Sequence, residues 1–286
     1  MTPAELLRHF DEATPWTVEP QWDNELDAYA TLQGVTELRQ ARGEEVVGLK
    51  IGLTKAEYWE RFGVSGPIVA PIWQGTTHLC AERCAVGISP HLQPKAEPEI
   101  AFVLSRVPRP GADIEELFAC IDGIAAAIEV VQCRRQDWRP NGFEAIADNG
   151  LHAALVVGEV SSPTRFANSA AQLIALIRDA KCCVRVNGSP CVSGDGDVSG
   201  SPLLTLQTVA ALDIVQGTPL ALRPRYVVAS GTWTSPIAVQ EGNSLDVEFE
   251  ALGLKVSVNF CARHSLLMEV AASRYSGVEN GLRDKG

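Results

Sequence analysis

The chain has 286 residues, of which 46% are hydrophobic and 21% are charged, so it can bury a large core in one or two domains. Its formal net charge of -11 argues against nucleic acid and against an anionic membrane surface as partners. The sequence has no apolar run long enough for a transmembrane helix, and its acidic, amphipathic N-terminus is unlike a signal peptide. We therefore expect a cytoplasmic protein.

The first ninety residues are predicted to be mostly helical. Helical periodicity covers residues 3–11 and 25–42. The apolar run VVGLKIGLT that follows is typical of a short strand, and Thr54 fits the N-cap of a further short helix in a capping box. We treat residues 1–90 as a helical N-terminal portion, partly separate from the rest of the chain.

One lysine stands out in that short strand. Lys50 is flanked by Leu49 and Ile51, which both read as buried residues. Such a lysine must either extend its ammonium group to solvent at a strand edge or meet an anion inside the protein. The residues alone leave both interpretations open.

Three glutamates are the strongest candidates for functional residues. Glu97 and Glu99 open the apolar run IAFVL, and two residues at strand positions i and i+2 leave the same face. Glu129 lies in a second apolar run, where an unpaired carboxylate is costly. Together they predict a site for a hard cation, Mg²⁺ or Mn²⁺. The alternative is that the first two face solvent and Glu129 pairs with Arg134 or Arg135.

Residues 91–262 carry mostly strand patterns, and Asn187-Gly188 is the strongest hairpin signal in the chain. The other predicted elements are a helix over 114–127, a strand with Glu129, a loop over 142–149, a strand over 151–157, a helix over 165–178 capped by Thr164, a helix over 203–215, and three C-terminal strands in YVVASGTW, SLDVEFEAL and LKVSVNF. This pattern predicts an α+β fold with a mixed, mostly antiparallel sheet. Residues 263–286 are predicted to form a short helix and a tail.

Several segments then resemble one enzyme family in order and spacing. They are KIGLT, EPEIAFVL, AIEVVQCRRQDW, ADNGLHAALVVG, VNGSP with VSGDGDVSGSPL, and ASGTWTSPIAVQEGNSLDVEF. The set is similar to the 2-hydroxypenta-2,4-dienoate hydratase and 4-oxalocrotonate decarboxylase family, within the fumarylacetoacetate hydrolase superfamily. The similarity spans residues 45–260. It depends on the whole series of segments in this order more than on any single motif.

The resemblance implies a distorted β-roll with flanking helices over 91–262, and a set of site residues. The implied metal ligands are Glu97, Glu99 and Glu129; the implied catalytic residues are Lys50, Asp148 and Asn149; the implied substrate-binding residues are Arg134, Ser193, Gly231 and Thr232. It also implies a homo-oligomer that takes part in the catabolism of aromatic compounds. The expected substrate is a small 2-oxo acid, either an unsaturated 2-oxo acid or a 2-hydroxydienoic acid.

The implied chemistry is that of a metal-dependent lyase. A 2-oxo acid can chelate a cation through its keto and carboxylate oxygens, and the cation then stabilises the enolate. A hydratase adds water to the ketonised dienol, whereas a decarboxylase releases carbon dioxide and forms the same enolate. The sequence does not separate these two reactions.

Three positions depart from the family pattern. Pro71 stands where the family usually has an acidic residue, Asp195 stands where it usually has an arginine, and Arg135-Gln136 replaces an apolar residue followed by arginine. A loop that exchanges Arg for Asp should not hold the same anionic group of the substrate. The sequence therefore supports a metal site and a 2-oxo acid substrate better than it supports a choice between the hydratase and decarboxylase reactions. Two further possibilities are a carbon-carbon bond hydrolase of acylpyruvates and a non-catalytic ligand-binding member.

Overall fold

The computed structural model describes residues 1–17, 20–89, 91–196, 201–212 and 218–262. The helices are α1 Pro3–Glu12, α2 Glu25–Ala41, α3 Trp59–Phe62, α4 Ile114–Phe118, α5 Gly142–Ala147, α6 Ala170–Arg178 and α7 Pro202–Ala210. The strands are β1 Val46–Gly52, β2 Ile68–Trp73, β3 Thr77–Leu79, β4 Arg83–Gly87, β5 Lys95–Leu104, β6 Ile121–Val131, β7 His152–Val157, β8 Lys181–Val186, β9 Ser189–Asp195, β10 Val227–Ala229, β11 Ile237–Ala238, β12 Ser244–Phe249 and β13 Leu254–Cys261. Within the described ranges, no helix has both the length and the apolar character needed to cross a membrane.

The strands form two sheets. The larger has the order β2-β1-β10-β5-β6-β7-β3, with β11 added along β5, and the smaller has the order β4-β13-β12-β8-β9. Pairing is antiparallel except for β1 with β10, β3 with β7 and β4 with β13. The smaller sheet packs through β12 and β13 onto β6. The predicted α+β class and the mixed, mostly antiparallel sheet are therefore confirmed.

The larger sheet is strongly curled. Lys50 on β1 lies three strand positions from Glu129 on β6, a separation of about 14 Å in a flat sheet. Their charged groups nevertheless approach to 3.0 Å, a contact that a lysine side chain can make only across the concave face. This concave face holds the candidate site.

Small side chains line the same concave face beside the carboxylates. Fully buried alanines face one another across neighbouring strands: Ala229, Ala101 and Ala125 in one row, with Ala127 opposite Glu99. We call these four residues the alanine wall. A buried cluster with Ile72, Leu155 and Val157 continues the wall and excludes water from beneath the site.

The N-terminal prediction is correct for its helices and wrong in two details. Helices α1 and α2 and the strand with Lys50 are present as predicted. However, the first ninety residues contribute four strands to the two sheets, where the sequence predicted one. Thr54 is not a helix cap, because the next turn is a 3-10 helix over Ala56–Tyr58 whose N-cap position, Lys55, makes no capping hydrogen bond.

Three predicted elements in the larger region are also wrong. The helix predicted over 114–127 ends at Phe118, and β6 occupies the rest, because its alanines pack against neighbouring strands instead of helix turns. The predicted loop over 142–149 contains α5, capped by Asn141 in a reciprocal capping box with Glu144. Helix α6 starts after Ser169, which caps it in place of Thr164.

The hairpin prediction is confirmed at β8 and β9. Asn187 and Gly188 both have positive φ, as a tight two-residue hairpin turn requires. The C-terminal pair β12 and β13 is also confirmed and turns at Gly253. The helix and tail predicted for 263–286 lie outside the described residues.

Candidate metal centre and active-site cavity

Three carboxylates meet at the end of the alanine wall. Glu97 and Glu99 project from β5 on one face, and the register of β5 with β6 sets Glu97 directly opposite Glu129. One oxygen from each lies within 4.8 Å of the others. We call these residues the carboxylate cluster. Three converging carboxylate oxygens match the ligands of a hard divalent cation.

The electrostatics of the cluster favour a cation. Burial raises the pKa of Glu97 to about 7 and raises the pKa of Glu99 well above its usual value, with repulsion from Glu129 adding to both. One Glu99 oxygen accepts the Gly231 amide hydrogen at 2.9 Å, whereas the other is buried without a hydrogen-bond partner among the described residues. A buried oxygen with an open acceptor position is what a metal ligand presents in the absence of the ion.

Lys50 occupies the centre of the site. Its ammonium lies 3.0 Å from a Glu129 oxygen and donates a hydrogen bond of 2.9 Å to the Gly150 carbonyl. Burial opposes the charge on Lys50, but the three glutamates outweigh it and raise its pKa. Gly150 is required here, because a Cβ at that position would lie 2.7 Å from the lysine Cδ. Of the two interpretations left open by the sequence, the structure shows the anion inside the protein.

A histidine that the sequence analysis did not identify, His152, contacts the Glu129 carboxylate. His152 Nδ1 lies 2.8 Å from the second Glu129 oxygen, and its Nε2 lies 2.9 Å from the Thr76 hydroxyl. Burial would raise the pKa of Glu129, but Lys50 and His152 outweigh it and lower that pKa. Glu129 is therefore held as a carboxylate of fixed orientation. A lone histidine at a strand start gave no signal, because its contact depends on the irregular register between β6 and β7.

The carboxylate cluster opens into the larger of two cavities described here, with a volume of about 970 Å³. Lys50 and Glu97 line its inner end, and the predicted residues Ser193, Gly231 and Thr232 also lie on its wall. Gly231 has a φ of +99°, and a Cβ there would lie 2.5 Å from Thr54. The close approach of this loop brings its amide to Glu99.

Three other predicted site residues do not reach the cavity. Arg134 and Asp148 form a buried ion pair, and the guanidinium also lies over the Phe10 ring. The Asn149 amide donates to the Pro71 carbonyl at 3.3 Å and lies on a second cavity of about 370 Å³ behind the sheet. These residues brace the segment that presents the Gly150 carbonyl to Lys50.

The positions that depart from the family pattern have distinct settings. Pro71 is buried in β2 beside Leu49. Asp195 ends β9 and lies on the wall of the larger cavity. Arg135 pairs with Glu144 at 2.9 Å and helps to fix α5. Of these departing residues, Asp195 alone lies on the wall of the larger cavity.

No family model matches the chain. Two proteins are similar to it in sequence. A 2-keto-4-pentenoate hydratase of Paraburkholderia phymatum is 31% identical over 235 residues, covering 82% of this chain and 85% of that protein. A 4-oxalocrotonate decarboxylase of Pseudomonas sp is 26% identical over 219 residues, covering 75% of this chain and 79% of that protein.

Two solved structures show the fold. The 4-oxalocrotonate decarboxylase from Pseudomonas putida G7, complexed with magnesium and adipate, has a TM-score of 0.75 and 23% identity, covering 90% of this chain and 97% of that chain. A fumarylpyruvate hydrolase from Pseudomonas aeruginosa, in complex with Mn²⁺ and pyruvate, has a TM-score of 0.53 and 16% identity, covering 75% of this chain and 89% of that chain. The fold is that of the fumarylacetoacetate hydrolase superfamily. The chain belongs to the family of 2-hydroxypenta-2,4-dienoate hydratases and 4-oxalocrotonate decarboxylases, which confirms the family resemblance seen in the sequence.

Proposed function

We propose that the protein is a divalent-metal-dependent lyase that acts on an unsaturated 2-oxo acid or a 2-hydroxydienoic acid. The observation that carries this proposal is the carboxylate cluster, with its buried open oxygen on Glu99, at the inner end of a large cavity. Relatives named as a hydratase and as a decarboxylase support the substrate class. Both reactions remain within the proposal, since they share the site.

Glu97, Glu99 and Glu129 would hold the cation. Their donor set is all oxygen and carries up to three negative charges, which suits Mg²⁺ or Mn²⁺ better than a softer metal. Related folds have been solved with magnesium and with Mn²⁺, which agrees with this choice. When bound, the cation supplies positive charge to the keto and carboxylate oxygens of a 2-oxo acid.

Lys50 supplies the second positive charge of the site. Its raised pKa keeps it an ammonium, so it can donate a hydrogen bond or a proton to a substrate that reaches the inner end. The Gly150 carbonyl and Glu129 hold its Nζ in one place. The alanine wall excludes water beneath it, which strengthens its attraction for a developing negative charge.

The remaining wall residues would orient the substrate. Ser193 and Thr232 lie on the cavity wall. The Ser193 hydroxyl can donate a hydrogen bond to a ligand, whereas the Thr232 hydroxyl donates its hydrogen to the Thr234 carbonyl at 2.9 Å and can only accept one.

The other predicted residues act indirectly. The contacts of Asp148, Asn149 and Arg134 hold the backbone that leads to Gly150 in place. Of the three predicted catalytic residues, Lys50, Asp148 and Asn149, we propose that only Lys50 touches the reacting atoms.

The direct test is ultraviolet absorbance of freshly generated 2-hydroxypenta-2,4-dienoate. We expect the dienol band to disappear only with protein and Mg²⁺ together, and to persist with excess chelator. The Glu129→Gln variant, which keeps the shape of the ligand but lowers its charge, is the matched control and should neither bind Mg²⁺ nor consume the dienol.

Product analysis then separates the reactions. A 4-hydroxy-2-oxo acid without carbon dioxide marks a hydratase, and carbon dioxide from a six-carbon unsaturated diacid marks a decarboxylase. An acid plus pyruvate from an acylpyruvate would instead mark a hydrolase. Turnover of none of these compounds, with Mg²⁺ bound at the cluster, would contradict the lyase proposal and favour a ligand-binding protein.

A further inference from the structure

Thr54 is a buried polar residue on the wall of the larger cavity. It is 7% exposed and lines the cavity just beyond the end of β1. The helical turn that follows it does not use its hydroxyl as a cap. Within the described ranges of the chain, this hydroxyl has no hydrogen-bond partner. A hydroxyl that is buried to this degree is normally paired, so a free one on a cavity wall indicates a place for a ligand.

The turn after β1 sets the position of Thr54. β1 ends at Gly52, and Leu53 has a φ of +51°, which turns the chain out of the strand. The Trp59 indole donates a hydrogen bond of 2.7 Å to the Leu53 carbonyl and fixes this turn. Thr54 then packs on the Gly231 loop, where a Cβ at Gly231 would lie 2.5 Å from the threonine methyl carbon and 3.1 Å from its hydroxyl oxygen. The side chain is therefore held against that loop.

The Gly231 loop brings Thr54 next to the metal ligands. The Gly231 amide donates a hydrogen bond of 2.9 Å to one Glu99 oxygen. Lys50 approaches from the same strand end, since a Cβ at Gly52 would lie 3.4 Å from the lysine Nζ. The Thr54 hydroxyl thus belongs to the inner end of the cavity, between the carboxylate cluster and the ammonium group.

Most hydrogen-bond donors around the inner end already have acceptors in the protein. Two of the three Lys50 ammonium hydrogens are directed at Glu129 and at a backbone carbonyl. The Gly231 amide hydrogen has a protein acceptor, and so does the Thr232 hydroxyl hydrogen. The third Lys50 hydrogen and the Thr54 hydroxyl hydrogen are left for a ligand, as far as the described residues extend.

We propose that Thr54 is a further ligand-binding residue, whose hydroxyl donates a hydrogen bond to the carboxylate of the 2-oxo acid at the inner end. This inference rests on the proposed function, because it assumes that a 2-oxo acid binds at the carboxylate cluster. When its keto oxygen and one carboxylate oxygen face the cation, the second carboxylate oxygen still requires a donor. Thr54 supplies that donor from a fixed turn and so orients the 2-oxo acid group relative to Lys50.

Calorimetric titration of the Mg²⁺-loaded protein with 2-oxopentanoate, a saturated and non-reacting 2-oxo acid, tests the inference. Thr54→Val keeps the shape of the side chain and removes the hydroxyl. The usual strength of a hydrogen bond to a charged group predicts about 10- to 150-fold weaker binding of the acid. Thr54→Ser is the matched control, because it keeps the hydroxyl and removes the methyl group that packs on Gly231. It should bind the acid within about threefold of the wild type.

Titration with Mg²⁺ alone separates a ligand contact from a structural role. Thr54→Val should bind Mg²⁺ as the wild type does, because valine keeps the contact with Gly231, whose amide holds Glu99. A loss of Mg²⁺ affinity of about tenfold in this variant would make Thr54 a support of the metal ligands and overturn the inference.

The remaining outcomes distinguish the inference from the proposed function. Binding of 2-oxopentanoate to Thr54→Val within about twofold of the wild type would overturn the inference and leave the proposed function intact. Equal losses of acid affinity in the valine and serine variants would assign the effect to packing and would also overturn the inference alone. No binding of the acid to the Mg²⁺-loaded wild-type protein would overturn both.

Discussion

The support of Glu129 by His152 allows a quantitative prediction. We consider His152→Phe, which keeps the ring volume but removes both nitrogen atoms. The variant loses the 2.8 Å contact with the Glu129 oxygen. A hydrogen bond to a charged group is worth about 1.5–3 kcal/mol. Residues that orient a metal ligand in this way typically change metal affinity by about 10- to 100-fold, or about 1.4–2.8 kcal/mol. The two ranges agree, so we expect Mn²⁺ or Mg²⁺ to bind 10- to 100-fold more weakly.

Calorimetric titration with the metal alone measures this effect without any substrate. His78→Phe is the matched control, since His78 lines the same rear cavity and makes no hydrogen bond to Glu129. Thr76→Val removes only the outer contact of the His152 ring and should cost less than His152→Phe. The reasoning is refuted if His152→Phe binds metal within about twofold of the wild type, or if His78→Phe loses as much affinity.

Three further predictions follow from the same region. Lys50→Met should lower turnover by several orders of magnitude while changing the melting temperature of the Mg²⁺-loaded protein little; a fully active variant would remove Lys50 from the chemistry. Asp148→Asn leaves the Arg134 guanidinium buried without its counter-ion. Denaturant titration should therefore show a loss of about 3–5 kcal/mol in the free energy of unfolding. A loss below about 1 kcal/mol would show that the ion pair does not stabilise this segment. Metal affinity should fall at least about tenfold per pH unit below about 7, because burial raises the pKa of Glu97 to about 7 and also raises that of Glu99, so the metal must displace protons from its ligands; calorimetry that finds no pH dependence between about pH 5.5 and 8 would contradict these protonation states.

The carboxylate cluster illustrates what the sequence can predict. Strand periodicity alone sets Glu97 and Glu99 on one face, because the two-residue repeat does not depend on neighbours. Glu129 is different, since its place opposite Glu97 depends on the β5–β6 register, which no local pattern contains. The position of Lys50 relative to Glu129 depends further on the curl of the whole sheet.

Other differences between the sequence prediction and the structure have an equally physical origin. Alanine has high helix propensity, so the run Ile124 to Ala127 reads as the end of a helix, but the concave face of a curled sheet also requires small side chains. The substrate-binding role that the family resemblance implies for Arg134 stays a prediction, and in the structure its guanidinium pairs with Asp148 inside the protein. Whether a polar residue meets a ligand or another buried residue is a property of tertiary packing, which the sequence alone does not reveal.

The alanine wall has a consequence for protein engineering. Larger side chains at Ala101, Ala125, Ala127 or Ala229 would overpack a fully buried face at a cost of about 1–3 kcal/mol each, so this wall offers no route to a reshaped binding site. On the wall of the larger cavity, Tyr58, Arg61 and Arg139 are exposed and Lys55 is partly exposed, so these positions tolerate new side chains without strain. A combinatorial library that aims at new substrates should therefore hold the wall constant and randomise positions 55, 58, 61 and 139.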